Sequence, residues 1–395
     1  MHENDIDSDT ERGETGFVVD VGSMYAYYES LEDQRDPRGL RYSLPVALTM
    51  ITLAKLGGED QPRGMAGWLK HRRDMLVVAL QLPRDSTPHH TTISRILGRA
   101  VPVDPFERAM GDFFTRQSEG GQEVVLAIDG KTLRGTIESG ETHGLHLLAA
   151  YLPGEGVVLM QMEVDRKENE IVAAPRVLKC LDLRGKVVIG DALHTQRGLS
   201  VQVVDAGGDY IWTVKDNHPR LRDDIQTLFE PESCVPGFSP SHKDFCTATT
   251  LNKGHGRIER RTITVSSLLK EYLDWPGIDQ VFKLERCFKH VKNGKVSQET
   301  IYGITSLSSK KADPAKLLSF SRDYWGIENG LHYRRDVTFK EDRCRLRTGH
   351  AARVMAILNN LVVGLILRQG VKNVPDARRK YCACPLEALD LIVRA

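Results

Sequence analysis

Three acidic residues, each in its own distinctive surroundings, have the types and contexts for joint chemistry. They are Asp129 in Leu126-Ala-Ile-Asp-Gly-Lys-Thr-Leu-Arg134, Asp191 in Val187-Val-Ile-Gly-Asp-Ala-Leu-His194, and Glu328 in Tyr324-Trp-Gly-Ile-Glu-Asn-Gly-Leu-His332. Asp129 and Asp191 each follow a short β-branched run, which predicts a carboxylate at the end of a buried strand; Glu328 lies on a helix-patterned stretch. Carboxylates converging from distant parts of a chain are what a pair of hard divalent cations requires. Two such ions about 3.5–4 Å apart stabilise the attacking and leaving oxygens of an in-line displacement at a phosphodiester. Each acid also has a plainer reading: an Asp-Gly turn at 129–130, a helix cap at Asp191, a solvated helical glutamate at 328. Spacing alone leaves both readings open.

The elements around these acids follow from the hydrophobic pattern. Val124–Ile128 is a strand ending at Asp129, and His146–Tyr151 and Val157–Val164 flank a Pro-Gly-Glu-Gly turn as a hairpin. Glu168–Leu183 suits a crossover helix, Lys186–Ile189 a strand ending at Asp191, Thr195–Ala206 a helix and Tyr210–Val214 a strand. Three strands, helix, strand, helix, strand is the order of a ribonuclease H-like α/β sheet, whose first and fourth strands are parallel neighbours. In that arrangement Asp129 and Asp191 meet at the carboxyl ends of parallel strands. From about 231 to 310 the pattern alternates in the strand manner, with Asn293-Gly294 as a hairpin turn, which predicts a β-rich insertion. Helical pattern returns at Pro314–Tyr324 and at His350–Leu367.

The domain organisation read from these shifts is a disordered leader (1–20), an N-terminal helical domain (21–120), a catalytic core in two parts (121–230 and 311–370) around the insertion (231–310), and a C-terminal tail (371–395). Helical patterns in the N-terminal domain cover Tyr42–Leu56, Gly64–His71 with Trp68 inward, and Asp74–Leu80. Thr91 or Thr92 is placed to cap a helix presenting Ser94, Arg95 and Arg99, which reads either as a DNA recognition helix or as a surface helix with two arginines.

Composition sets limits on these readings. With 54 Lys+Arg against 53 Asp+Glu the net charge is +1, so binding to a polyanion rests on local clusters and not on a bulk field. Two clusters qualify: Lys253, His255, Arg257, Arg260 and Arg261 in the insertion, and Arg334, Arg335, Arg343, Arg345 and Arg347 beyond Glu328. The seven cysteines are odd in number and scattered, so they read as reduced residues. No run reaches the roughly 20 apolar residues of a membrane span, and the polar, acidic Met1–Gly16 is unlike a signal peptide, so a cytoplasmic protein is expected.

The wording around the acids resembles a bacterial DDE transposase of the H-repeat-associated group of insertion sequences. Matching words are Ile128-Asp-Gly-Lys-Thr-Leu-Arg134, Lys167-Glu-Asn-Glu-Ile171, Gly190-Asp-Ala-Leu-His-Thr-Gln196, Val214-Lys-Asp-Asn217, His255-Gly-Arg-Ile-Glu259 and Trp325-Gly-Ile-Glu-Asn-Gly-Leu-His332, then Asp336-Val-Thr-Phe and Glu341-Asp342. They run in unbroken order over roughly residues 25–370. The resemblance implies a ribonuclease H-like core interrupted by a β insertion between the second and third acids, and the gap here is 328 − 191 = 137 positions. It also implies that Asp129, Asp191 and Glu328 are the catalytic metal ligands, Asp129 bridging two Mg²⁺ ions that Mn²⁺ can replace. The implied partner is double-stranded DNA, both terminal inverted repeats and target, held by a homodimer or higher synaptic assembly.

Around the acids, Lys131 and Arg134 are expected to face a scissile phosphate. His194, at a helix start, is expected to position DNA, as are Lys215 in preference to Asn217, Arg257 in the insertion, and Arg95. Related transposases frame the third acid as Tyr-x2-Arg-x3-Glu-x6-Lys. Counting from Glu328 this chain has Ser321, Tyr324 and Arg335, so Arg335 keeps only the basic last slot, with Arg322 and His332 as substitute phosphate contacts. Trp325 reads as core more readily than as a base-stacking platform. Two other readings stay open beside a cutting and joining transposase: an inert DNA-binding relative, and a ribonuclease H-like nuclease without strand transfer.

Overall fold

The computed structural model describes residues 10–12, 17–38, 40–116, 124–230, 244–254 and 256–394. Most of the leader expected at 1–20, the first part of the insertion and His255 lie outside the described residues. Thr10–Arg12 (β1) pairs antiparallel with Val18–Asp20 (β2). Six helices follow: Met24–Glu29 (α1), Leu44–Leu56 (α2), Pro62–Lys70 (α3), Arg73–Ala79 (α4), His90–Arg95 (α5) and Val103–Arg116 (α6). Every residue of α2 is buried, which is why its sequence is apolar on all sides, and Pro45 sits in the first turn where its missing N–H leaves no bond unmade. Trp68 is buried on α3. The cap of α5 is His89, whose ring nitrogen accepts from the Thr91 N–H at 3.4 Å, and not Thr91 or Thr92.

From residue 124 onward the described residues form one mixed sheet of nine strands with flanking helices. In chain order its elements are Val124–Leu133 (β3), Leu145–Leu152 (β4), Val157–Val164 (β5), Glu170–Lys179 (α7), Lys186–Gly190 (β6), Arg197–Asp205 (α8), Asp209–Val214 (β7), Pro219–Phe229 (α9), Cys246–Gly254 (β8), Arg257–Ser266 (β9), Gln280–His290 (β10) and Val296–Thr305 (β11). The spatial order is β5-β4-β3-β6-β7-β11-β10-β9-β8. Only β3–β6 and β6–β7 are parallel. Parallel neighbours need a crossover, which α8 supplies between β6 and β7. The strands expected as an insertion continue this sheet: β11 pairs antiparallel with β7, Tyr302 opposite Val214, and so covers an edge that would otherwise be open.

Strand alternation sends the sheet's side chains to two cores. Val125, Val187, Ile189 and Ile211 pack with Phe282 and Leu284 under Leu317, Leu318 and Phe320 of Pro314–Gly326 (α10). Leu126, Ile128, Val188, Tyr210 and Trp212 join the larger core on the opposite face, shared with α7, α8 and the N-terminal helices. Ala351–Arg368 (α11) is the one described helix long and apolar enough to cross a membrane, and it is mostly buried inside the protein. Residues expected as a tail form Val374–Ala383 (α12) and Pro385–Val393 (α13), which bury Tyr381, Ala388 and Ile392 against α1 and α2.

Between α10 and α11 the chain makes two π-helical turns, Ile327–His332 and Arg334–Thr338. Such wide turns are rare and collect at functional sites. Here a buried polar network holds them. Arg335 is completely buried and donates to Glu341 at 2.8 Å and to Gln161 of β5 at 3.1 Å. Asn359 and Asn360 of α11 donate to the same two partners, at 2.7 and 3.1 Å. The DNA contact expected of Arg335 is therefore corrected: the side chain has no solvent-facing surface and anchors the turns that carry Glu328.

Two outcomes follow for stability. Arg335→Ala leaves Glu341 buried without its cation and lowers the unfolding free energy by about 3–5 kcal/mol in urea titration. Glu107 of α6 lies inside the protein, where burial pushes its carboxyl up to about 8 although Arg353 and Arg335 pull the other way. Its unfolded form ionises near pH 4.5, so the stability it contributes is full below that and declines as pH rises through 8. Glu107→Gln flattens the melting temperature between those pH values.

Candidate active site

Strand register sets the place of the first two acids. β3 and β6 pair from Val124↔Lys186 to Ala127↔Ile189, a constant offset (186 − 124 = 62; 189 − 127 = 62), and Asp129 and Asp191 each stand two residues past the last pair of that ladder. β6 ends at Gly190 while β3, expected to end at Asp129, runs on to Leu133, so Asp129 lies within its strand just past the parallel ladder and Asp191 just past the end of its own. Asp191 caps the short turn that follows, its Oδ1 accepting from the Leu193 N–H at 2.9 Å. Asn217 donates to the Ala192 carbonyl at 2.6 Å and braces the same turn.

Glu328 enters from the α10 side on the first π-helical turn, together with His332. His332 Nδ1 is 3.5 Å from Asp129 Oδ2 and 3.8 Å from Glu328 Oε2. One ligand atom from each of Asp129, Glu328 and His332 fits within 4.8 Å of the others. Asp191 lies outside that tight trio, yet its charge acts on Asp129.

The electrostatics are those of a crowded anionic pocket. Burial, then the charges of Glu328 and Glu170, push the Asp129 carboxyl up to about 8, with the Gly130 N–H countering and Asp191 adding to the rise. Tyr324 is pushed up by burial and by the same four carboxylates. Burial, with Arg335 and Lys131 nearby, lowers His332 to about 3, so its imidazole is neutral and keeps a lone pair for a ligand. Oxygen donors packed so closely that one resists ionisation, beside a neutral imidazole, fit a divalent cation, whose charge would remove the repulsion.

The remaining expected contacts divide. Lys131 is buried and gives both short bonds of its ammonium to Asp336, at 2.6 and 2.7 Å, which makes it a wall of the pocket and not a free phosphate ligand. His194 is wholly buried against Glu170 at 3.3 Å, which corrects the expectation that it touches DNA. Arg134 is exposed, 3.8 Å from Asp342, and lines an open cleft with Arg345 and Arg347. Arg95, Lys215, Arg257 and Arg322 are exposed. Trp325 is partly exposed, with the Arg286 guanidinium 4.5 Å above its ring. Glu170, His146 and Tyr324 belong to the site and had no role in the sequence reading. The word Lys167-Glu-Asn-Glu-Ile171 was visible, but an acid in a first helical turn is ordinarily solvated.

Residues 120–365 match the model of the Transposase DDE domain. The chain belongs to the DDE transposase family. A DDE_Tnp_1-associated model matches residues 25–114, so the helical N-terminal part is shared too. This DDE transposase is similar to YbfL of Escherichia coli K12, 28% identical over 89% of this chain and 92% of the relative. It is also similar to the "H repeat-associated putative transposase YhhI" of the same strain, 27% identical over 72% and 74% of the two chains. The resemblance to the H-repeat-associated group is thereby borne out. A solved piggyBac transposase synaptic complex with hairpin DNA aligns with 95% of this chain and 78% of its own, at a TM-score of 0.45 and 11% identity.

The Lys131–Asp336 pair is testable by itself. Lys131→Met and Asp336→Asn each destabilise the protein by about 1.5–3 kcal/mol in denaturant titration. The double variant loses less than the sum, because the two changes remove one shared interaction.

Proposed function

We propose that this DDE transposase serves an insertion sequence, binding the element's terminal inverted repeats, cutting there and joining the 3′ ends to target DNA. The observation that carries the reading is the gathering of ligand atoms from Asp129, Glu328 and His332 within 4.8 Å, with the charge of Asp191, next after the parallel neighbour β6, acting on Asp129. The order β5-β4-β3-β6-β7, with β3–β6 parallel and Asp129 and Asp191 just past the end of their ladder, supports a ribonuclease H-like core.

Asp129, Asp191 and Glu328 would hold the divalent cations, Mg²⁺ or Mn²⁺, with His332 beside Asp129 and Glu328 as a further ligand or as a brace for Glu328. Bound there, the cations supply Lewis-acid stabilisation of an in-line displacement at phosphorus. The protein's own groups do the rest. Asp191 is fixed by its capping bond, Glu328 by the Arg335 anchor behind it, and Lys131 with Asp336 closes one wall. Arg134, Arg345 and Arg347 offer guanidinium forks to backbone phosphates beside the crevice. Arg322, Lys215, Arg257 and Arg95 extend the cationic track, with Arg95 on the helix expected to meet DNA, and both DNA ends imply a synaptic dimer or larger assembly.

The test is cleavage and strand transfer on a fragment carrying the element's own terminal repeats, with and without Mg²⁺, beside Asp191→Asn. The expected outcome is joined product that needs the cation and falls roughly a thousandfold or more in the variant. Bound but uncut ends would instead identify an inert DNA-binding relative, and cut ends never joined a hydrolytic nuclease.

A further inference from the structure

At the start of α7, Glu170 lies between two imidazoles, hydrogen-bonded to one and close to the other. His146 Nε2 lies 2.9 Å from its Oε1 and His194 Nε2 lies 3.3 Å from its Oε2. Each imidazole is itself placed. His146 Nδ1 is 2.8 Å from Thr132 Oγ1 on β3, and the wholly buried His194 holds its Nε2 4.0 Å from Asp191 Oδ1.

The clasp is built directly against the backbone of both strand-end acids. A Cβ at Gly130, the residue after Asp129, would overlap Glu170 Oε1 and His146 Nε2. A Cβ at Gly190, the residue before Asp191, would crowd the Cβ and ring of His194 and the ring of Trp212. Both glycines are therefore the space in which this carboxylate and its imidazole sit. Burial works against ionising Glu170, but the bond to His146 and the nearness of the His194 ring outweigh it and hold the carboxyl down at about 2. Its charge is thus fixed, and it is felt at Asp129.

We propose that Glu170 is a fourth working carboxylate of the site, a positioning residue that locks His146 and His194 against the ends of β3 and β6. Its standing negative charge also helps draw divalent cations to Asp129 and Asp191. It is not counted as a ligand: its Oε1 is bonded to His146, and it stands outside the trio whose ligand atoms gather within 4.8 Å. The inference rests on the metal-site reading above.

Mn²⁺ binding to the full-length protein without DNA, by calorimetry and by loss of the free-ion electron spin resonance signal, separates the two ideas. Wild type, Asp129→Asn, Glu170→Gln and Glu170→Asp are compared, each with a metal-free melting curve. The expected result is that Glu170→Gln, folded and melting near wild type, binds Mn²⁺ about tenfold more weakly, the effect of one lost charge at close range. Its Mg²⁺ requirement for cleavage rises in step. Glu170→Asp, which keeps the charge on a shorter stem, recovers part of the affinity. Glu170→Gln with wild-type Mn²⁺ affinity overturns the inference. Should Glu170→Gln not fold, wild-type affinity in Glu170→Asp and in His146→Asn together does the same. Wild type that binds no Mn²⁺, or binds it regardless of Asp129→Asn, sinks the metal-site reading instead.

Discussion

The parallel pairing of β3 with β6 is the constraint on which the site depends. In a strand the side chains alternate, so a slip of one residue would turn Asp191 to the opposite face from Asp129 and exchange every buried residue of β6 for its neighbour. Both faces are buried, Val187 and Ile189 in one core and Val188 in the other, so a slip would exchange side chains between two differently shaped cores, and packing fit is what opposes it. The apolar run that positions the acid thus also fixes which way the acid points.

The third acid is placed by a different force. Glu328 stands on π-helical turns, which have poorer backbone bonding than an α-helix, and these persist because Arg335, Glu341, Gln161, Asn359 and Asn360 bond one another behind them. The site's front is a set of like charges that repel, and its back is a set of unlike groups that bind. The second makes the first tolerable: the free energy that keeps the acids crowded is supplied a few ångströms away, in a region water does not reach.

Much of this was legible in the chain. The strand order and the parallel neighbours followed from β-branched runs, because burial on two faces writes itself as uninterrupted apolar sequence, and Asp191 follows its strand as expected, whereas the strand holding Asp129 runs on to Leu133. Glu328 was legible from its surrounding words. What stayed hidden were facts about which side a polar residue faces. Arg335 and His194 look like DNA contacts in a list of residues and are buried in the fold, since a cation with a buried partner has the same letter as one in solvent. Glu170 was hidden for the converse reason, as its two imidazoles come from Leu145–Leu152 and from the turn after Asp191, distant in sequence. The union of the insertion strands with the core sheet was also not written locally, because edge-to-edge pairing leaves no mark on either strand alone.

That union has a mechanical consequence. Four pairings, β6–β7, β7–β11, β11–β10 and β10–β9, lead from the strand ending in front of Asp191 to the strand that begins with Arg257, and all are hydrogen-bonded ladders without a linker between them. Neighbouring strands are rotated by about 20–25° on average, so four steps swing the outer strands through about 80–100°. The far hairpins therefore belong to a single stiff, propeller-twisted blade with the carboxylates near its root, and a load applied at its tip reaches the root as torsion.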